Sequence, residues 1–120
     1  MKHEFAVARI LKGLNTESGR NIREFLAGRT TEQQLKEQSL QIKVKYYDAL
    51  VEKGVITASE EARKQIVELG KAMPLSVEAA LKCKAGEITW NELVNICSNQ
   101  VLPLAKQEAQ ALEGKNAPEV

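Results

Sequence analysis

Histidine and cysteine, which carry much of the acid–base and nucleophilic chemistry of enzymes, are scarce in this sequence. His3 is the only histidine, and it stands at the third position of the chain. A Ser–His–Asp or Cys–His catalytic group needs a histidine held beside its nucleophile, and a zinc site usually needs several histidine or cysteine ligands. Cys83 and Cys97 lie fourteen residues apart, and neither belongs to a Cys-x-x-Cys pair. The sequence therefore offers neither a conventional nucleophilic triad nor a conventional zinc site.

Cys83 could still be reactive, because Lys82 and Lys84 flank it and positive charge favours the thiolate. The alternative, which we adopt, is that both cysteines fill space on the buried faces of helices. Carboxylates are plentiful but scattered, and the Glu-x-x-His pairs that hold two metal ions in helical bundles do not occur. We therefore predict a protein that is not an enzyme and that holds no cofactor or metal.

The charge balance argues against binding nucleic acid mainly through phosphates. The chain has 17 Lys and Arg against 16 Asp and Glu, and neither half has a strong basic excess. Its apolar fraction of 43% and charged fraction of 28% are typical of a soluble globular protein. No apolar run approaches the length of a transmembrane helix. We expect a cytoplasmic protein without a membrane partner, in which both cysteines are thiols.

One pattern, G-x-x-T-x-x-[E/Q], occurs three times, as "GRTTEQQ" at Gly28, "GVITASE" at Gly54 and "GEITWNE" at Gly86. Glycine reaches the left-handed backbone that ends many helices. The threonine three positions after the glycine can cap the next helix. The Gln or Glu three positions after that threonine can complete a capping box. The spacings of 26 and 32 residues differ, which does not suit a solenoid repeat. The pattern predicts tight corners between helices rather than a repeated binding site.

Helical periodicity extends along almost the whole chain. We predict one compact all-α domain, residues 1–113, with five or six helices and one long central helix, followed by a disordered tail at residues 114–120. Gly13, Pro74 and Pro103 are the predicted breaks or kinks besides the three corners. Phe5 and Leu69 are assigned to buried faces. The predicted helices cover residues 2–12, 15–27, 31–53, 58–72 and 76–85, and a last one begins at residue 89.

The segment of residues 31–53 has two interpretations. As one helix it forms the long central rod, with more apolar surface than short neighbours cover, so that a homodimer is possible. The alternative is a break near Ser39. In that form "TTEQQLKEQSLQIKVKYYDALVEKGVI" resembles a helix–turn–helix followed by the Glu-Lys-Gly-hydrophobic ending of winged-helix domains. This resemblance implies a DNA-binding regulator whose recognition helix presents four side chains, those of Lys43, Lys45, Tyr46 and Tyr47.

Three aromatic residues are the candidate contacts for a protein partner. Tyr46 and Tyr47 point about 100° apart on a helix, so we expect at most one of them to be fully buried. Trp90 follows a helix cap, where side chains are often half exposed, and Trp and Tyr are enriched in binding hot spots. We predict a small protein-binding module (an adaptor, regulator or inhibitor) that contacts another protein through these three residues, with the DNA-binding regulator as the alternative.

Overall fold

The described part of the chain, residues 3–116 with side chains for residues 3–113, consists of helices joined by short connections in this computed structural model. The predicted all-α class is confirmed. The predicted bundle of five or six helices around one long central helix is not matched in detail, because α1 is even longer than α2 and several breaks lie elsewhere. The elements are α1 (Glu4–Leu26), α2 (Glu32–Glu52), α3 (Glu60–Val67), α4 (Ala72–Lys84), α5 (Trp90–Ile96), a π-helical segment (Cys97–Val101) and α6 (Leu102–Asn116).

The three glycines of the repeated pattern end helices as predicted. Gly28, Gly54 and Gly86 have φ values of +79°, +71° and +80°, in the left-handed region. Thr31 and Thr89 each cap the following helix in a complete capping box. Each threonine hydroxyl accepts a backbone N–H at 3.1 Å.

The corner at Gly54 departs from the prediction, because Ser59 rather than Thr57 caps α3. Its hydroxyl accepts the N–H of Ala62 at 3.0 Å. Val55 and Ile56, which follow Gly54, are buried in the core. The chain therefore places two side chains in the core from a non-helical segment before α3 begins. The cap falls two residues later than the pattern indicates.

Gly13 does not break α1, which continues through it for 23 residues. A glycine inside a helix costs about 1 kcal/mol relative to alanine, which packing can offset. The buried face of α1 is formed by Val7, Leu11, Ile22 and Phe25. Phe5 lies on the other side of the helix and is 85% exposed, so its assignment to the core is wrong.

The corner between α3 and α4 also differs from the prediction. The helix expected over residues 58–72 ends at Val67, and Leu69 is 52% exposed instead of buried. Pro74 does not stop a helix but lies in the first turn of α4, where its missing N–H leaves no bond unmade. Ser76, the first residue of the helix predicted over residues 76–85, is instead buried within α4.

Pro103 is accommodated without a break. The preceding residues form the π-helical segment, in which the N–H of Leu102 bonds to the carbonyl of Cys97. A proline ring clashes with the carbonyl four residues earlier in a regular α-helix, and a local π turn widens the backbone at that point. Residues 90–116 therefore form one continuous rod, which we call the composite rod.

The composite rod ends at Asn116, beyond the predicted domain boundary at residue 113. The rest of the predicted tail, residues 117–120, lies outside the described residues.

Two clusters of buried apolar side chains hold the helices together. One contains Tyr46 and Leu50, and the other contains Phe25 and Leu93. Ile96 and Cys97 of the composite rod pack against both. The composite rod therefore contributes to both parts of the core, as α1, α2 and α4 also do.

Candidate functional site

Both tyrosines of α2 belong to the core, so the expectation that at most one would be buried is wrong. The Tyr46 hydroxyl donates to the carbonyl of Ala105 at 2.8 Å, and burial, aided by the negative charge of Glu108, raises the pKa of Tyr46. The Tyr47 hydroxyl accepts the N–H of Ser59 at 3.2 Å. α2 contacts α1, α3 and α4, so side chains 100° apart on it are both covered. Neither tyrosine offers a free face to a partner in this conformation.

The lysines of the DNA-binding interpretation are also engaged within the fold. The Lys43 ammonium donates to the carbonyl of Val67 at 3.4 Å, and burial lowers the pKa of Lys43 against the opposing effect of Glu108. Lys45 forms an ion pair with Glu17. α2 is one helix with no turn near residue 39, so the geometry of a helix–turn–helix is absent from residues 31–53.

Trp90 has a different environment from the two tyrosines. It directly follows the cap residue Thr89 and is half-buried, with the guanidinium carbon of Arg23 lying 5.3 Å from its ring centroid. The capping box fixes where α5 starts, and the hydrophobic pair Ile88 and Leu93 packs into the core beside it. The indole is therefore held at a surface position by elements on both sides.

Trp90 lines a surface cavity of about 300 Å³ between α1 and the composite rod. Ile22 and Leu93 form its buried apolar floor. Val94, which is 40% exposed, and Arg23 stand at its edge. We call this cavity, lined also by hydroxyl and amide side chains of α1, the Trp90 groove.

The Trp90 groove is one end of a longer seam between α1 and the composite rod, which run antiparallel. Arg23 meets Trp90 at one end, and the His3 ring nitrogen Nδ1 lies 3.2 Å from Glu113 Oε1 at the other. A second cavity of about 450 Å³, which we call the Phe5 groove, opens along this seam. Its lining includes Phe5, Lys12 and Lys106.

A further apolar groove lies between α2 and α4, with a cavity volume of about 370 Å³. Leu40, Pro74, Val77 and Leu81 supply its apolar surface. Leu40 is 51% exposed. This α2–α4 groove holds no aromatic residue and is the principal competitor of the Trp90 groove for a role in binding.

The cysteines lack the surroundings of a nucleophile. The Lys84 ammonium, which could have favoured a Cys83 thiolate, donates instead to the carbonyls of Phe25 and Leu26 at 3.1 and 3.3 Å. Lys82 pairs with Glu78. Burial raises the pKa of the Cys97 thiol, although a hydrogen bond with Ser76 acts in the opposite direction. Within residues 3–116, no three His, Cys, Asp or Glu side chains are grouped as metal ligands would be.

Comparison of the chain with protein-family models, curated proteins and solved structures gave no match. None of the described helices combines the length and apolar character needed to cross a membrane. The geometry of the grooves is therefore the basis for the functional proposal.

Proposed function

We propose that this chain is a small non-enzymatic protein-binding module, and that its partner inserts side chains into the Trp90 groove. The observation that carries the proposal is the placement of Trp90. It is half-buried at the mouth of a surface cavity, whereas Tyr46 and Tyr47 are used inside the fold. An adaptor, regulator or inhibitor acts through such a surface without chemistry of its own.

The groove has the composition of a binding hot spot. Trp and Arg are the residue types most enriched in such sites, and here the guanidinium of Arg23 lies over the indole of Trp90. Stacking of a cation on an aromatic ring contributes about 0.5–1 kcal/mol at an exposed position and fixes both side chains before a partner arrives. Side chains that are already ordered lose less conformational entropy on binding.

The apolar floor beneath the indole gives a partner side chain surface to bury. Ile22 and Leu93 are buried in the free protein, and Val94 extends the apolar surface outward. A cavity of about 300 Å³ accommodates one or two large apolar side chains. The hydroxyl groups of Thr16 and Ser98 at its sides would satisfy polar groups at the edge of the contact.

The proposal is tested by affinity capture from a native extract with the immobilised wild-type chain and with Trp90→Ala. We expect at least one component that wild type retains and Trp90→Ala loses by tenfold or more, with its direct binding then measured on the purified component. Val94→Arg, which fills the groove from its edge, should give the same loss without removing the indole. Leu40→Ala, in the α2–α4 groove, is the control and should capture normally.

Circular dichroism of each variant separates loss of binding from loss of folding. Capture that is equal for wild type, Trp90→Ala and Val94→Arg would contradict the proposal. Loss with Leu40→Ala alone would move the binding site to the α2–α4 groove.

A further inference from the structure

The side of α1 that faces solvent carries a line of cations that the overall charge conceals. With 3.6 residues per turn, Phe5, Thr16 and four basic residues fall within a strip about 80° wide along the helix. We call the four cations the basic stripe, and they are Arg9, Lys12, Arg20 and Arg23. All four are exposed. The acidic residues of α1 lie at least about 40° away from this strip on the same geometry.

The basic stripe is not neutralised within the fold. Among the described residues, Arg9, Lys12 and Arg20 form no ion pair, and Arg23 contacts the indole ring. The nearest acidic residues of α1 are occupied, since Glu17 pairs with Lys45 and Glu24 pairs with Arg29. The positive charge of the stripe is therefore available to an external partner.

Between the two ends of the seam, the opposite wall adds a cation and no acid. Residues 93–107 of the composite rod read "LVNICSNQVLPLAKQ", in which Lys106 is the only charged residue. Lys106 lines the Phe5 groove together with Arg9, Lys12 and one acidic residue, Glu4. With three cations against one acid, this part of the seam favours a negatively charged occupant.

The cations of the stripe form two pairs with a gap between them. Arg9 and Lys12 lie one turn apart near the Phe5 groove, and Arg20 and Arg23 do so beside the Trp90 groove. The gap from Lys12 to Arg20 is eight residues, or about 12 Å of helix. In it the strip and its margin carry only small residues, Gly13, Thr16 and Gly19, which let another backbone approach closely.

We infer that the partner presents an acidic helix to this seam, with two acidic clusters separated by a gap of about eight residues and an apolar side chain that enters the Trp90 groove. The inference rests on the proposed function and specifies the partner's chemistry. From Phe5 to Arg23 the strip is about 27 Å long, which matches a helix of about 18 residues. Two charged clusters in register with the two cation pairs would fix the direction and position of that helix.

A narrow strip suits a single helix better than a nucleic acid. The flanks of α1 carry Glu17 and Glu24, which would lie near the phosphates of any ligand much broader than the strip. Phosphate binding is favoured by a broad basic surface, whereas the net charge of this chain is +1. The same comparison disfavours an anionic membrane, which presents a wide charged plane.

The test is a selection from a displayed library of helical peptides about 18 residues long, with the full chain as immobilised target at about 0.15 M salt. Exposed library positions vary among acidic, basic, amide and apolar residues. We expect enriched peptides to carry two acidic clusters separated by a gap of about eight positions, and one large apolar residue. Their affinity should fall about fivefold or more for the double variant Arg9→Gln/Lys12→Gln.

Arg63→Gln/Lys64→Gln is the matched control, because it removes the same two charges from exposed positions of α3 away from the seam. Its affinity for the enriched peptides should equal that of wild type. No enrichment, a basic or uncharged consensus, or equal effects of the two double variants would overturn the inference. Tighter binding of duplex DNA or of phosphatidylserine vesicles, lost with Arg9→Gln/Lys12→Gln, would also overturn it and assign the stripe to phosphates.

The selection separates this inference from the proposed function. Peptides that need Trp90 but ignore the stripe charges would uphold the Trp90 groove and overturn the acidic partner. Acidic peptides that need the stripe but bind Trp90→Ala normally would uphold the acidic partner and contradict the role of the groove.

Discussion

Glu108 shows how a single side chain can fix a helix end that has no cap of its own. The N-cap residue of α4, Lys71, makes no side-chain capping bond. Instead Glu108 of α6 accepts the N–H of Ala72 at 3.1 Å. Burial raises the pKa of this carboxyl, although hydrogen bonds from the backbone of Ala72 and Lys71 and the charge of Lys43 act in the opposite direction.

Glu108 should therefore make stability depend on pH. Because its pKa in the folded chain lies above the ordinary value of 4.5, its contribution to the free energy of unfolding is greatest below that value and falls as pH rises through the raised pKa. Glu108→Gln keeps an acceptor oxygen and removes the titration. We expect the stability of this variant relative to wild type to increase between about pH 4 and about pH 7, measured by urea unfolding.

Glu68→Gln, at an exposed position of the same corner, controls for the removal of one negative charge. A fall in the stability of Glu108→Gln relative to wild type between about pH 4 and about pH 7, or no change in it, would contradict the assignment.

Gly70 is required by close contact rather than by its backbone angle. A Cβ atom at this position would lie 2.4 Å from the carbonyl oxygen of Ile66 and 2.7 Å from Glu108 Oε2. We expect Gly70→Ala to lower the free energy of unfolding by about 1–3 kcal/mol, as overpacking does. Gly13→Ala is the matched control, because no atom lies within 4 Å of its added Cβ. That substitution should instead stabilise α1 by about 0.5–1 kcal/mol, and equal effects in chemical denaturation would contradict this account.

At the scale of elements, some corners between helices are fixed by residues of the corner itself, and one is fixed by residues far away in the sequence. The corners before α2 and α5 use a glycine stop and a threonine capping box. The corner between α3 and α4 lacks this pattern. It is held by Lys43, which bonds to the end of α3, and by Glu108, which bonds to the start of α4.

The three caps should contribute similarly, and Thr57 should contribute little. Thr31→Ala, Ser59→Ala and Thr89→Ala each remove a bond to a free backbone N–H and should cost about 1 kcal/mol. Thr57→Ala is the control, since Thr57 is exposed and does not cap α3. A cost at Thr57 equal to that at Ser59, measured by thermal or urea unfolding, would contradict the observed start of α3.

Sequence predicted the features that depend on neighbours along the chain. The Gly28, Gly54 and Gly86 stops, two capping boxes and the all-α class follow from signals a few residues long. The α3–α4 corner was missed because its contacts join residues 24 and 36 positions apart. The continuity of α1 through Gly13 and of the composite rod through Pro103 was missed because packing and a π turn override the local breaking signal.

Part of the candidate site could likewise be predicted from sequence neighbours, and part depends on contacts between distant residues. The half-buried position of Trp90 agrees with what its place after a helix cap suggests. Arg23 was missed, because only the packing of α1 against the composite rod brings it to the indole. The basic stripe does have a sequence signal, since Arg9, Lys12, Arg20 and Arg23 follow helical spacing. That signal becomes visible only when residues 4–26 are read as one helix.

At the scale of the whole molecule, the seam supplies a binding face along an elongated body of 49 × 24 × 19 Å. The homodimer was proposed because the long helix would have apolar surface left uncovered. α2 is instead covered by α1, α3 and α4, and Leu40 is its one strongly exposed large apolar residue. We therefore expect sedimentation velocity to give a monomer at every concentration of a dilution series. A dimer that dissociates on dilution, and that Leu40→Ala weakens, would restore the self-association proposal.

The central claim is that this protein functions through the surface formed by α1 and the Trp90 end of the composite rod. The most direct test is a nuclear magnetic resonance map of backbone amides and of the single indole N–H, recorded with and without the partner recovered by capture. We expect the indole of Trp90 and the amides of residues 15–23 and 94–98 to shift together and to saturate with the partner. Shifts centred on Leu40 and Val77, with the Trp90 indole unchanged, would contradict the claim.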